Sequence, residues 1–359
     1  MGTTSNYSWP YPESTDPVAD GAVDIQALAD AADTTGRAIQ LATVQRFADS
    51  TARDTALSGI EIEGMFAFLQ DTDALTYWDG SAWQEFSAGA DDVIAQYVAI
   101  GGGGSGGSNY GGGGGAGGYI SSVGTENSGG GRSTMPRATF VRGQSYTITI
   151  GAGGASNADG SPTDFASFRA LGGGRGGVSP SDGRDGASGG GAPGEGSSSR
   201  FGGSAIGGGF QGYYGGNNYP QGGVAPAGGG GGAGGAGDNA SSGQAGDGGV
   251  GVDSSITGSS VGRGGGGAGG RYSAAAGTAT DGGGLANNPG TANTGGGGGG
   301  TIGTSGTSYS GGSGVVIIRF LTSDGSPTIG AGLTSSSSTD GDYTVIQFTA
   351  GSDTISWSV

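Results

Sequence analysis

The sequence predicts a mixed fold, mostly irregular and β, in which packed polyglycine II helices are framed by β-strands. Glycine supplies 93 of the 359 residues, and 81 of these lie in residues 101–314. This block begins and ends at apolar stretches typical of strands, residues 97–100 and 315–320. A short helical pattern and a small aromatic β module come before the block, and a β cap follows it.

The composition rules out several kinds of active site. The chain has no Cys, His or Lys, and its 13 basic residues, all Arg, face 30 carboxylates for a net charge of −17. Catalytic triads, zinc fingers, redox dithiols and lysine-bearing phosphate loops are therefore excluded. The acidic balance argues against a nucleic-acid partner, and the lack of a long apolar run argues against insertion in a membrane. We expect no enzymatic activity, no cofactor and no metal site.

The N-terminal residues predict an arm followed by a helix. Residues 1–17 are polar and contain several prolines, which indicates an extended arm that docks on a partner. Residues 18–46 have a short heptad pattern with little apolar surface, and such a helix would be marginal in water by itself. It is either a surface helix of its own domain or, as we favour, part of a parallel bundle between identical chains. The seam positions of that bundle are Ile25, Leu28, Ala32 and Ile39.

Residues 47–96 predict a small β module. Apolar residues alternate around Phe66, Phe68, Leu75 and Tyr77, and the Asp79-Gly80 pair indicates a hairpin before Trp83 and Phe86. The exposed faces of Trp78 and Trp83 could stack on sugars. We favour a role in the core, because this module has few other large side chains to bury.

Three explanations compete for the glycine-rich block. Disorder agrees with its low content of apolar residues, but the block carries 10 acids and 9 arginines and is nearly neutral. Collagen requires glycine at every third position, which runs such as GGGGAGGAGD do not keep. Polyglycine II helices have three residues per turn and no internal hydrogen bonds, so bare neighbouring helices can bond to one another. We favour this third explanation, because strands border the block and a further strand is predicted at residues 140–150.

Residues 321–359 return to an ordinary composition. Two strands are predicted, at residues 343–348 and 354–359, joined by Gly351-Ser352-Asp353. We interpret this part as a cap for the glycine lattice or for an oligomer axis. The second interpretation is a receptor-binding tip.

Candidate binding residues lie between residues 200 and 220, where aromatic side chains alternate with glycine. Such residues provide contact area with few rotatable bonds to immobilise. They either contact a receptor or pack between layers of the lattice, and the sequence does not separate the two. The candidates are Phe201, Phe210, Tyr213, Tyr214, Asn217, Asn218 and Tyr219.

Five arginines of the same block either bind anionic glycans or are solvated surface charges, and we favour the solvated charges. These residues are Arg175, Arg184, Arg200, Arg263 and Arg271.

The order of four segments resembles a known family. These segments are YVAIGGGGSGGSNYGGGGGAGGYI, TFVRGQSYTITIGAGG, GSPTDFASFRALGGGRGG and GGSGVVIIRF. They resemble the glycine-rich domain of bacteriophage tail fibres and receptor-binding adhesins. The earlier segments DPVADGAVDIQALADAADTTG, RDTAL and EGMFAFLQDTDALTYWDGSAW resemble the front halves of phage minor tail proteins.

This resemblance implies a polyglycine II sandwich whose exposed loops bind a host surface, in a homotrimer attached to the tail by its N-termini. We therefore expect a virion protein of the tail fibre or tail tip. Residues 1–46 would contact other tail or baseplate proteins, and residues 97–320 would contact a glycan or protein of the host cell. The alternatives are a virion spacer or decoration protein that touches no receptor and, third, a glycan depolymerase with two carboxylates.

Overall fold

The computed structural model describes residues 2–3, 10–11, 27, 29–32, 44–72, 74–85, 92–194, 197–220, 222, 225–273 and 275–359. The chain divides into two compact units, Met1–Ala90 and Asp91–Val359. The division lies a few residues before our boundary between residues 96 and 97. Each unit is described by itself.

The start of the first unit is described only in part. Strands β1 (Gly2–Thr3) and β2 (Pro10–Tyr11) pair in antiparallel fashion. Residues 27 and 29–32 are helical, and Ala32 is half-buried. The other predicted seam residues, Ile25, Leu28 and Ile39, lie outside the described residues, so the bundle between chains stays a prediction.

A four-stranded sheet forms the rest of the first unit. Its strands are β3 (Gln45–Phe47), β4 (Phe66–Leu69), β5 (Ala74–Trp78) and β6 (Trp83–Glu85). Strand β3 is parallel to β4, and β4, β5 and β6 follow as an antiparallel meander. The predicted strands around the Asp79-Gly80 turn are therefore present, while Phe86 lies outside the described residues.

One helix in this module was not predicted. Helix α1 (Ser50–Leu57) connects the parallel strands β3 and β4, and the side chain of Asp49 caps it by accepting from the amide of Ala52 at 2.7 Å. We predicted only strands in the small β module of residues 47–96, so this helix is an addition to that prediction. The helix buries only Arg53 and Leu57, so its sequence lacks a long apolar periodicity.

The second unit is dominated by β-strands and by glycine segments without regular secondary structure. Short 3₁₀ helices span Gly129–Gly131, Ile206–Gly209 and Thr322–Asp324. The strands are β7 (Val93–Ile100), β8 (Tyr119–Ser121), β9 (Ala138–Phe140), β10 (Tyr146–Thr149), β11 (Thr163–Phe165), β12 (Phe168–Ala170), β13 (Val252–Ser254), β14 (Val261–Arg263), β15 (Val315–Leu321), β16 (Thr328–Ile329), β17 (Leu333–Asp340) and β18 (Tyr343–Ser356).

Ten of these strands make one antiparallel sheet within the described residues. Its main order is β12-β11-β10-β18-β15-β7-β8, with β9 beside β7 and with β16 and β17 beside β18. Strands β13 and β14 form a separate hairpin. The mostly β fold class predicted from the sequence is confirmed.

Both faces of the central strands are buried, which explains why their sequences are apolar without alternation. On β7, Tyr97 lies in one hydrophobic cluster and Val98 in the other. Strand β15 behaves in the same way, with Ile318 in the first cluster and Ile317 in the second. Ile256, fully buried in the β13–β14 hairpin, helps to cover the second face.

Three predicted strands have different bounds in the structure. Residues 140–150 are not one strand, because a turn with Gly143 at a φ of 77° separates β9 from β10. At the C-terminus, the two predicted strands are one, β18, which runs through Gly351. Strand β18 lies inside the sheet and pairs with β10 and β15, so residues 321–359 are an integral part of the sheet.

The register of the sheet continues into the glycine segments. Ile100 on β7 lies opposite Tyr119 on β8, and the same antiparallel pairing then passes into glycine. There the amides of Gly101, Gly104 and Gly107 donate to the carbonyls of Gly118, Gly115 and Gly112, at 2.8–2.9 Å. The bonded residues now recur at every third position, as a helix with three residues per turn requires.

The segment at residues 111–118 shows how the glycine helices pack. Its amides donate to residues in three neighbouring segments, 171–177, 228–231 and 295–298. Its carbonyls accept from three others, 101–107, 188–191 and 267–270. The three residues of each turn thus bond in six directions, so this segment lies at the centre of a polyglycine II lattice.

Bare glycine is necessary at the centre of this lattice. A methyl group at Gly114 would overlap the carbonyl oxygen of Gly104, and one at Gly103 would overlap that of Gly296. The amides of residues 112–118, which would have no partner in an isolated glycine helix, all bond to neighbouring segments. The predicted order of this block follows from that mutual satisfaction.

Candidate functional site

The lattice has one end at the sheet and one end made of turns. Segment 101–107 leaves strand β7 and reaches the turn at residues 108–110, about 20 Å away at 3.1 Å per residue. Tyr110 donates from its amide to Gly303 at 3.0 Å, and Gly303 donates to Arg271 at 2.8 Å. We call these adjoining turns, residues 108–110, 271–273 and 302–305, the loop end.

An aromatic pair stands at the loop end. The rings of Tyr110 and Tyr272 meet edge to face, with centroids 5.5 Å apart and planes at 80°. Tyr272 is 58% exposed, and Tyr110 is half-buried. Asn109 and Tyr110 both have a φ of 53°, a conformation that the surrounding lattice bonds hold in place.

Sequence reasoning missed both tyrosines of this pair. Tyr110 and Tyr272 are distant in sequence, and each is embedded in glycine and serine. The available signal was their position in turns between glycine segments, since loops that join rigid elements often carry binding residues.

The predicted residues Asn217 and Asn218 belong to the lattice. Asn218 is 8% exposed, and its side chain accepts from the amide of Arg200 at 2.7 Å and donates to the carbonyl of Ser198 at 3.0 Å. The side chain of Asn217 accepts from the amide of Gly202 at 3.0 Å. These amide groups thus complete hydrogen bonds that the backbone of the outer segments would otherwise lack.

The predicted aromatic residues do not form one patch. Phe210 lies under the guanidinium of Arg132, whose Cζ is 5.0 Å from the ring centroid. Phe201 instead donates its amide to Asp182 at 3.2 Å. Segment 213–217 places its two ends about 12 Å apart, so Tyr213 and Tyr219 are also separated. The exposed members of the predicted set are Phe201, Phe210, Tyr214 and Tyr219, whereas Tyr213 is half-buried.

The candidate arginines Arg184 and Arg263 are engaged within the protein. Arg184 pairs with Asp159, N to O 3.4 Å. Arg263 is 7% exposed, and its burial lowers the pKa of its guanidinium, although Tyr119 opposes this effect. This agrees with a structural role for Arg263 rather than contact with a ligand.

The aromatic residues of the first unit pack against one another. Trp78 lies opposite Trp83 on neighbouring strands, with ring centroids 5.7 Å apart at 64°. The guanidinium of Arg53, itself buried, covers the ring of Trp83 at 4.6 Å. These contacts support the core role that we favoured over sugar stacking.

A polar groove of about 540 Å³ lies beside the β17–β18 turn. Its lining residues are Leu321, Thr322, Ser323, Thr339, Gly341 and Asp342. Nearby, Arg319 pairs with Asp340 at 2.9 Å and stacks over Tyr343 at 4.4 Å. The guanidinium of Arg319 is thus already paired. One carboxylate, that of Asp342, lines the groove itself.

A second cavity, of about 430 Å³, lies where the sheet fails to close on itself. Its lining residues are Arg137, Ala138, Thr139, Tyr146, Ala166, Ser167 and Phe168. One wall comes from β9 and the other from the β10–β12 region. We call it the seam cavity.

Within the described ranges, no group of three or more Asp, Glu, His or Cys side chains has the arrangement of a metal site. No helix in this same part of the chain is long and apolar enough to cross a membrane.

Comparison with known proteins identifies a glycine-rich domain. Residues 80–321 match a family model described as a glycine-rich domain, and this match covers more than half of the chain. The chain therefore belongs to the glycine-rich domain family. No curated protein matches its sequence.

Proposed function

We propose that this member of the glycine-rich domain family is a structural and adhesive virion protein, a trimeric phage tail fibre or tail-tip protein. Residues 1–46 attach it to other tail proteins. The loop end of the glycine lattice binds a glycan or protein of the host-cell surface. The resemblance of the ordered segments to tail fibres is the reason for placing it in the tail.

One observation carries the adhesive role: the Tyr110–Tyr272 pair on a rigid lattice, in which Tyr272 is exposed. Tyrosines offer a large contact area with few torsions to freeze, and their hydroxyl groups can bond to polar ligands. The backbone of Tyr110 is fixed on both sides, because it donates to Gly303 and accepts from Gly194 at 2.7 Å. Such preorganisation lowers the entropic cost of binding.

The test is competition for adsorption of the phage to its host by purified protein. The double variant Tyr110→Ser, Tyr272→Ser should lose competition at least tenfold while its melting temperature stays close to that of the wild type. A matched control replaces Tyr343, which lies beside the polar groove. If both variants compete like the wild type, the loop end is not the receptor site.

The earlier candidates form a separate arm of this test. Replacing Tyr213, Tyr214 and Tyr219 by Ser should leave competition within threefold, because the proposed receptor contacts are made by Tyr110 and Tyr272. Loss of competition in this variant alone would move the receptor site to residues 201–219.

A spacer or decoration protein is the second candidate. It is favoured by the use of Asn217 and Asn218 inside the lattice, which removes two predicted receptor contacts. A spacer would fail to compete in wild-type form. Release of reducing sugar from host glycan by the wild type would instead support the depolymerase.

A further inference from the structure

We propose that the seam cavity binds a saccharide that bears a carboxylate group. This site lies in the sheet, away from the loop end, and goes beyond the proposed function. In this cavity one cation, two aromatic walls and two hydroxyl groups surround a single space.

Arg137 supplies the charge. Among the described residues, its guanidinium has no hydrogen bond, ion pair or ring contact, and it is the charged member of the cavity lining. Other arginines of this acidic chain are paired with aspartates: Arg53, Arg169, Arg184 and Arg319. A planar guanidinium recognises a planar carboxylate through two parallel hydrogen bonds.

Tyr146 and Phe168 supply fixed apolar walls. The ring of Tyr146 meets Phe140 edge to face at 4.9 Å, and its Oη accepts from the amide of Val141 at 2.9 Å. The ring of Phe168 lies 4.7 Å from that of the fully buried Tyr97. Aromatic rings held in this way suit the C–H surface of a pyranose, which a simple inorganic anion lacks.

Thr139 and Ser167 supply the polar contacts. Ser167 stands in the two-residue turn between β11 and β12, where Ala166 has a φ of 50° and donates its amide to Thr147 at 2.9 Å. Strand β9 pairs with β7, and strand β12 pairs with β11. In the described sheet, the other edge of each strand therefore has backbone N–H and C=O groups that can bond to a ligand. A sugar ring carries hydroxyl groups for both kinds of partner.

Size and chemistry together select the ligand class. A volume of about 430 Å³ falls within the ordinary range for small-molecule sites. A neutral sugar would leave Arg137 unpaired, and a small anion would leave the aromatic walls bare. An acidic monosaccharide, or the acidic end of a longer glycan, uses all of these groups.

The experiment titrates the full-length protein with four probes and follows binding by NMR. The probes are D-glucuronate, N-acetylneuraminate, D-glucose and acetate. At least one acidic sugar should bind at least tenfold more tightly than glucose and acetate. Failure of both acidic sugars to bind overturns the proposal, and equal binding of acetate overturns its saccharide part.

Two variants locate the binding. Arg137→Gln should weaken the acidic sugar at least tenfold, about 1.4 kcal/mol, and should remove its advantage over glucose. The control Arg169→Gln alters an exposed arginine already paired with Asp164 and should leave affinity unchanged. Thr139→Ala should weaken binding of the acidic sugar about threefold, and it provides a second test of the cavity if Arg137→Gln fails to fold. Unchanged affinity in the folded cavity variants would place the ligand elsewhere.

These results separate the site from the proposed function. The Tyr110→Ser, Tyr272→Ser protein should bind the acidic sugar like the wild type. Arg137→Gln, in turn, tests the seam cavity whether or not the loop end adsorbs to a host.

Discussion

Gly267 donates its amide to the carbonyl of Gly114 at 2.9 Å, and neither residue has a side chain to separate the two backbones. Gly114 in turn donates to Gly298 at 2.8 Å, so one residue joins three segments. The lattice depends on this close approach. Its stability should therefore be sensitive to single methyl groups at its centre.

The first prediction concerns Gly114→Ala. The added methyl group would overlap the carbonyl of Gly104, and overpacking of this kind costs about 1–3 kcal/mol. We expect a matching fall in the free energy of unfolding, measured by denaturant titration. The control is Gly306→Ala, where an added Cβ has nothing within 4 Å and φ is not positive. Equal stability of the two variants would mean that the lattice is not closely packed.

The second prediction concerns Asn218→Ala. Removal of the buried amide leaves the N–H of Arg200 and the carbonyl of Ser198 without these partners, which costs about 1–3 kcal/mol. Asn288→Ala removes an exposed amide that donates to Ala286, and it should change stability by less than about 0.5 kcal/mol. Thermal melts of the two proteins compare them directly. A stable Asn218→Ala protein with lost adsorption would return this residue to the receptor site.

The third prediction concerns pH. The backbone amide of Ala82, followed by the backbone amide of Ser81, holds the pKa of the Asp79 carboxylate well below its ordinary value of 3.8. Because the pKa is lowered in the folded state, the stabilisation is fully present above about pH 4 and is lost as pH falls through the folded pKa. NMR titration of the Asp79 carboxyl carbon and the Ala82 amide should show this late protonation.

The matched variant for this titration is Asp79→Asn, which keeps an acceptor oxygen but has no charge to titrate. Its β5–β6 hairpin should be less stable than the wild type at pH 7 and should lose less on acidification. An Asp79 carboxyl group that titrates at its ordinary pKa would contradict the hydrogen-bonded turn.

The fourth prediction concerns assembly. Light scattering should give the full chain three times its mass of 33.9 kDa, and Ile25→Asp with Leu28→Asp should reduce this to a single chain. Val44→Asp changes an exposed residue outside the seam and should leave the mass unchanged. A wild-type protein that stays monomeric would remove the trimer and the fibre architecture.

Several elements followed from local sequence. The apolar stretches around Val98 and Ile317 form central strands. Strands that are buried on both faces have nearly continuous apolar sequences, so these stretches could be recognised. The Asp79-Gly80 turn was also recognisable, since its residues satisfy turn geometry locally. Strand β17 was missed: its sequence, LTSSSSTD, is almost entirely polar, and its pairing with β18 gives it its conformation.

The candidate site was predicted less well from the sequence. Glycine spacing identifies the segments but does not tell which turns meet, so Tyr110 and Tyr272 were not joined in the prediction. The same ambiguity grouped Phe201 with Phe210, although the lattice places them among different neighbours. The seam cavity depends on where β9 and β12 end in space, which no local pattern encodes.

The sequence by itself determined that this chain packs bare backbone against bare backbone. Its content of 93 glycines, together with strands at both ends of the block, left polyglycine II as the favoured way to satisfy the peptide groups. Tertiary structure decided the order of the segments, the partners of each amide and the placing of Tyr110, Tyr272 and Arg137. The reason is physical: glycine has no side chain to distinguish one neighbour from another, so the register comes from the strands and turns that join the segments.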